Sequence, residues 1–180
     1  APGAPDEDTD GGFAHGGWHL PLFDDLAARW LIDSYEGLGG FLLGRRTYEI
    51  LGGYWPTAPE DQRAFGDPLN TLPKYVASTT LEEPLAWQNS MLLRGEVPGA
   101  VRDLKNQDGG DLQVIGSAQL VQTLSDHDLV DEYRFMIDPL ILGGGKRLFP
   151  DDGARRPLRL DSSEVTTSGA ILATHAPAEG

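Results

Sequence analysis

The residues best suited to chemistry lie in three short stretches: Gly44-Arg45-Arg46-Thr47-Tyr48-Glu49, Val76-Ala77-Ser78-Thr79 and Val114-Ile115-Gly116-Ser117-Ala118-Gln119-Leu120. Each looks like the end of an apolar strand running into a glycine or a hydroxyl residue, and a helical pattern follows the first and the third. The first N–H groups of a helix have no intrahelical partner, so such a turn offers free donors to phosphate. One turn of this kind is weak evidence. Three in order point to a dinucleotide site along one edge of a sheet. Glycine at 116 lets the backbone approach a ligand closely, and small side chains at Ser117 and Ala118 keep a groove open. Arg45 or Arg46 supplies a rigid fork for phosphate. Taken alone, the two arginines read as ordinary surface helix residues; the flanking motifs tip them toward the ligand.

Other constellations carry less. Gly143-Gly144-Gly145-Lys146 suggests a phosphate loop, but Leu140 and Arg147 stand where the Walker pattern needs a glycine and a hydroxyl residue. A tight loop between strands is the simpler reading. His15 and His19 are four apart in a glycine-rich stretch with no helix to align them, so no metal site is expected. Asp126-His127-Asp128 reads as a solvated turn. No Gly-x-Ser-x-Gly elbow occurs and cysteine is absent, which leaves nucleophilic catalysis, disulfides and thiolate zinc sites without support. Trp30, Trp55 and Trp87 read as core or dimer contacts, while Trp18 and Tyr54 are candidates to line a pocket for a planar ligand.

The elements that must position these residues alternate. Leu22, Phe23, Leu26, Ala27, Trp30 and Leu31 recur at helical spacing, with Asp24 and Asp25 in the first turn, where the helix dipole favours them. A strand follows over residues 41–43, then a brief helix over 46–51 that stops at Gly52-Gly53. Residues 54–73, with Pro56, Pro59, Pro68 and Pro73, read as loop. Strands are expected over 74–77, 91–93 and 112–115, with helices over 97–105 and 119–125. Tyr133, Phe135 and Ile137 alternate with polar neighbours as a strand does. Two antiparallel strands within 158–175 meet near Thr167-Ser168-Gly169. This pattern specifies an α/β domain on a mixed sheet. Residues 1–17, rich in Gly, Pro, Asp and Glu, read as a flexible loop ahead of a single domain over residues 18–180.

Bulk properties agree. With 180 residues, 39% hydrophobic and 23% charged, the chain can bury a sizeable core. Its 14 Lys+Arg against 28 Asp+Glu give a net charge of -14, which repels nucleic acid and anionic membrane. An anionic ligand then needs local arginine, and screening within ~8–10 Å lets local charge prevail over the distant field. No apolar run approaches the ~18 residues of a membrane span, and nothing resembles a signal peptide. A cytoplasmic protein is the expectation.

These motifs, with Leu129-Val130-Asp131-Glu132-Tyr133, Ile137-Asp138-Pro139 and the run from Gly143 to Asp151, resemble the dihydrofolate reductase-like superfamily. The likeness is strongest to the C-terminal reductase domain of the riboflavin biosynthesis deaminase-reductase, and it runs from about Trp18 to His175. It implies a three-layer fold, with a central, mostly parallel mixed sheet flanked by helices and an antiparallel C-terminal hairpin. It also implies NADPH as cofactor. Gly44, Arg45, Arg46 and Thr47 would open the helix that receives its phosphates, with Thr47 on the pyrophosphate and Arg45 near the adenosine phosphate. Ser78 and Thr79 match the residues that hold the 2′-phosphoribose. Gly116, Ser117, Ala118, Gln119 and Leu120 match the turn that cradles the pyrophosphate and approaches the nicotinamide.

Two departures stand out. The strand ending in a Leu-Asp-Gly-like turn, with which such proteins begin, has no counterpart here, and the sequence leaves open whether the protein lacks it or the given residues start after it. Dihydrofolate reductases also place a cis peptide where this chain has Gly116-Ser117, and the sequence leaves that bond open. The resemblance implies an NADPH-dependent reductase, nominally acting on a 5-amino-6-(5-phosphoribosylamino)uracil-like compound in riboflavin biosynthesis. A dihydrofolate or pterin reductase is the first alternative, and a non-catalytic nucleotide-binding or oligomeric module the second. The catalytic residues stay unassigned, as suits hydride transfer, in which the protein orients the cofactor. A homodimer is expected through the closing strands, which carry Leu158, Leu160, Val165, Ile171 and Leu172.

Overall fold

The computed structural model describes residues 13–178, so the expected loop over residues 1–17 lies mostly outside the described residues. In chain order the elements are α1 (Asp25–Asp33), β1 (Leu38–Gly44), α2 (Arg45–Tyr54), α3 (Arg63–Thr71), β2 (Lys74–Ala77), β3 (Ser90–Leu93), α4 (Val97–Lys105), β4 (Asp111–Val114), α5 (Ala118–Ser125), β5 (Tyr133–Ile137), β6 (Leu158–Val165) and β7 (Ile171–Pro177). The described residues gather into two compact units: Ile32–Leu129, and those up to Leu31 together with those from Val130 onward.

In the first of these units four parallel strands run in the order β3-β2-β1-β4. A strand inside a parallel sheet is covered on both faces and therefore reads as a continuous apolar run. Phe41, Leu42 and Leu43 of β1 are that run, and all three are buried. Phe41 and Leu43 pack with Tyr48, Leu69, Val76 and Trp87 into the core. Lys74 is wholly buried at the start of β2. Its ammonium donates to the carbonyls of Leu69 (2.7 Å) and Leu72 (2.9 Å), so it caps the C-terminus of α3, and it lies 4.6 Å from the centre of the Trp87 ring. Burial pushes this amine down to about 8.

Two expected boundaries are corrected in this unit. The helix expected over residues 46–51 runs on through both glycines to Tyr54. A Cβ at Gly52 would stand 3.3 Å from the Trp87 ring, so glycine there serves close packing rather than a stop. The expected loop over residues 54–73 contains α3, with Pro68 inside it. Gly66 and Leu69 bury the helix face, Lys74 satisfies its last carbonyls, and these contacts outweigh the one backbone bond that proline removes.

The other unit carries a three-stranded antiparallel sheet in the order β5-β7-β6. The α/β class holds, with the antiparallel strands forming a sheet of their own rather than the edge of one mixed sheet. The helix suggested from Leu22 onward begins instead at Asp25, after a separate short turn at Leu20–Leu22. Asp24 makes the break. One carboxylate oxygen accepts the amides of Leu26 (3.1 Å) and Ala27 (3.0 Å) as a helix cap. The other accepts the Thr167 amide (2.8 Å) and hydroxyl (2.6 Å) and the Ser168 amide (3.3 Å), in the turn between β6 and β7. The Thr167 hydroxyl, then the Ala27 amide, hold the Asp24 carboxyl down to about 2.

Candidate cofactor site

The parallel sheet has a topological switch point. From β1 the chain moves outward to β2 and β3, then crosses to lay β4 on the far side of β1. Loops leaving the C-terminal ends of β1 and β4 must diverge there, and the crevice between them is where open α/β sheets bind ligands. Gly44, Arg45, Arg46 and Thr47 leave β1 at this point, and Gly116 to Leu120 follow β4. Ser78 and Thr79 leave β2, whose Ala77 is paired with Gly44. All eleven residues expected to hold a cofactor therefore lie at one edge of one unit.

Ser117 joins the two central loops. Its hydroxyl accepts the Gly44 amide at 2.9 Å and donates to the Thr47 hydroxyl at 2.8 Å. It precedes α5 yet makes no side-chain cap, and Gly44 before α2 makes none either. Neither helix start is thus closed by its own N-cap side chain, and two helix dipoles add positive potential there. Gly116 (φ +61°) and Ser117 (φ +57°) both adopt the left-handed conformation that aims the turn. The Gly116-Ser117 peptide is trans; the one cis bond among the described residues joins Glu83 and Pro84.

The side chains differ in what they can still offer. Arg45 is exposed and paired with Glu49 one turn along α2, while Arg46 is half-buried and also engaged. No acidic residue occupies the first turn of α2. Two arginines there oppose the helix dipole, an arrangement that a bound anion would relieve. The Ser78 hydroxyl accepts the amides of Thr80 (3.1 Å) and Leu81 (3.0 Å), so it shapes its own turn; Thr79 is exposed. Gln119 is exposed, whereas the Leu120 side chain is buried in the core and only its backbone faces the turn's task.

The two aromatic candidates fall in different units. Tyr54 is half-exposed, donates to Gln62 at 2.6 Å and stacks edge-on with Trp55. Trp18 stacks edge-on with His19, and its indole N–H is buried without a partner. The Nδ1 of His19 pairs with Asp138 at 2.9 Å, and no group of three or more His, Cys, Asp or Glu side chains placed to hold a metal ion occurs among the described residues. That pair, far apart in sequence, left no signal to read. The Glu49 partner of Arg45 did leave one, the i,i+4 spacing of opposite charges.

A cavity of about 850 Å³ lies beside α2, bordered by Tyr48, Glu49, Gly52, Asn70, Leu81 and Trp87 among others, and it includes none of the expected cofactor residues. No helix among the described residues is long and apolar enough to cross a membrane.

A family model described as the RibD C-terminal domain matches residues 9–172. YyaP of Bacillus subtilis strain 168 is 30% identical over 141 residues, covering 77% of this chain and 74% of its own length. YwjB of the same strain is 26% identical over 132 residues, 73% of this chain and 70% of its own. Among solved structures, one assigned by name to riboflavin biosynthesis, from Shewanella sp. PV-4, superposes with a TM-score of 0.65 at 21% identity, covering 97% of this chain and 83% of that one. A pyrimidine reductase-like protein from Corynebacterium diphtheriae also gives 0.65, at 13% identity over 94% and 86%.

Proposed function

The chain belongs to the RibD C-terminal domain family, and from that premise we propose that it is an NADPH-dependent reductase. The observation that carries the cofactor is the pair of uncapped helix starts at the β1/β4 switch point, tied together by Ser117 and fronted by Arg45. When bound, NADPH supplies the hydride. The chain's own part is to hold the cofactor: the amides opening α2 and α5 take the pyrophosphate, Gly116 gives it room, and Arg45 with Ser78 and Thr79 takes the 2′-phosphate. The substrate is a small heterocyclic or ribosyl-linked compound, nominally 5-amino-6-(5-phosphoribosylamino)uracil-like.

Titration of the purified chain with NADPH and NADH tests the cofactor. A charge-assisted contact of ~1.5–3 kcal/mol gives a preference for NADPH of about tenfold to a hundredfold, and Arg45→Ala should remove most of it. Equal affinities in the wild type would contradict the assignment. Oxidation of NADPH with the uracil compound or with dihydrofolate then separates the two reductases, and binding without turnover of either favours a nucleotide-binding module.

The same proposal includes a homodimer. Along one row of the antiparallel sheet, Ile137, Ile171 and Val165 face each other across the strands and are 52%, 40% and 65% exposed. Leu160 is exposed as well, but Leu172 is 1% exposed and belongs to the covered face, so it drops out of the expected interface. An apolar exposed row on a sheet favours a partner surface, here a second copy. Light scattering at micromolar concentration should give twice 19.5 kDa; a single-chain mass would refute the dimer.

A further inference from the structure

We infer that Glu49 sets how strongly the site prefers a nucleotide carrying an extra phosphate, because it shares Arg45 with that phosphate. The inference rests on the cofactor reading above. One terminal nitrogen of Arg45 donates to both Glu49 oxygens, at 3.1 and 2.9 Å. Its other nitrogens bond to none of the described residues. The edge of the guanidinium that could take a phosphate in two-point contact is therefore open.

The pair is badly placed as a helix stabiliser. Arginine lies at the positive end of α2 and glutamate follows it, the weaker order for an i,i+4 pair. Side chains 50% and 45% exposed make it an exchangeable contact rather than a fixed strut. It is well placed as a counterweight. A phosphate on the open edge of Arg45 would sit well inside the ~8 Å over which physiological salt leaves charges coupled, so the Glu49 carboxylate would repel it and compete for its arginine. A nucleotide without that phosphate leaves the pair undisturbed. Glu49 thus weakens one cofactor and not the other.

The competing role is positioning, in which the carboxylate merely holds Arg45 in place, and the two roles differ in sign. Calorimetric titration with NADPH and with NADH decides between them, on the wild type, Glu49→Gln, Arg45→Ala and the double variant, with thermal melts to confirm folding. Glu49→Gln should tighten NADPH about two- to fivefold, the range an exposed ion pair carries, leave NADH unchanged, and have no effect once Arg45 is alanine. Unchanged or weaker NADPH binding in Glu49→Gln overturns the inference. If Arg45→Ala still weakens NADPH selectively, that result leaves the cofactor reading standing. If Arg45→Ala affects both nucleotides equally or neither, the cofactor reading fails and the inference with it.

Discussion

Replacing Ser117 with alanine removes one oxygen atom and should loosen the whole candidate site. That oxygen is the acceptor for the half-buried Gly44 amide and the donor to Thr47. Each bond contributes about 0.5–1.5 kcal/mol net, and an amide stranded away from water costs toward the upper end. Alanine should therefore lower stability by about 1–2 kcal/mol, taking partial exposure into account. For a chain of this size that is a fall in Tm of about 2–8 °C. Backbone strain does not enter, because serine and alanine are alike uncomfortable at φ +57°.

Glycine at the same position separates the two contributions. It loses the same bonds but relieves the left-handed conformation by about 1–2 kcal/mol, less about 0.5–1 kcal/mol for its freer unfolded chain. The expected order of stability is wild type, then Ser117→Gly, then Ser117→Ala. Urea denaturation gives the three values, and NADPH titration gives the consequence for the site. Loops no longer tied must be ordered by the ligand, so affinity should fall by up to about tenfold in Ser117→Ala. A Ser117→Ala protein as stable as wild type would show that the strap is not a stabilising contact. A glycine variant less stable than the alanine one would refute the backbone term.

Gly116→Val places a β-branched residue at φ +61°, with a Cβ 3.8 Å from the Thr47 hydroxyl; NADPH binding should vanish while the melt shows a folded protein weakened by about 1–2 kcal/mol, and normal binding would remove the turn from the site. Asp24 is held down to about 2 by Thr167 and the backbone of its cap, so its contribution is present above pH 4 and fades as pH falls toward 2. Asp24→Ala should accordingly lower Tm by more at pH 7 than at pH 2, and a constant gap across that range would argue against the network. Lys74, pushed down to about 8 by burial, binds fewer protons folded than unfolded between pH 8 and 10.5, so stability should gain a rising contribution there; Lys74→Met should abolish that rise, as urea midpoints against pH will show.

Much of the parallel unit was legible because its signals are local. The apolar run of β1 and the spans of β2 and α4 follow from burial and periodicity within a few residues. So does the start of α5 behind a small-residue turn. The errors sit where a distant partner decides. Gly52-Gly53 reads as a stop until Trp87 is seen against α2, and the prolines of residues 54–73 read as loop until Lys74 is seen closing α3 from inside the sheet. The site divides along the same line. That Gly44 and Gly116 stand at strand ends could be read from the chain, but their meeting depends on strand order, which placed β4 beside β1 rather than beyond β3. Only that crossover lets Ser117 reach Gly44, 73 residues away in sequence. Its left-handed backbone has the same origin: a serine has no intrinsic reason to adopt φ +57°, and the two bonds to Gly44 and Thr47 supply one. The strain and the strap are a single feature, so the residue least typical of its conformation is also the one that joins the two halves of the site.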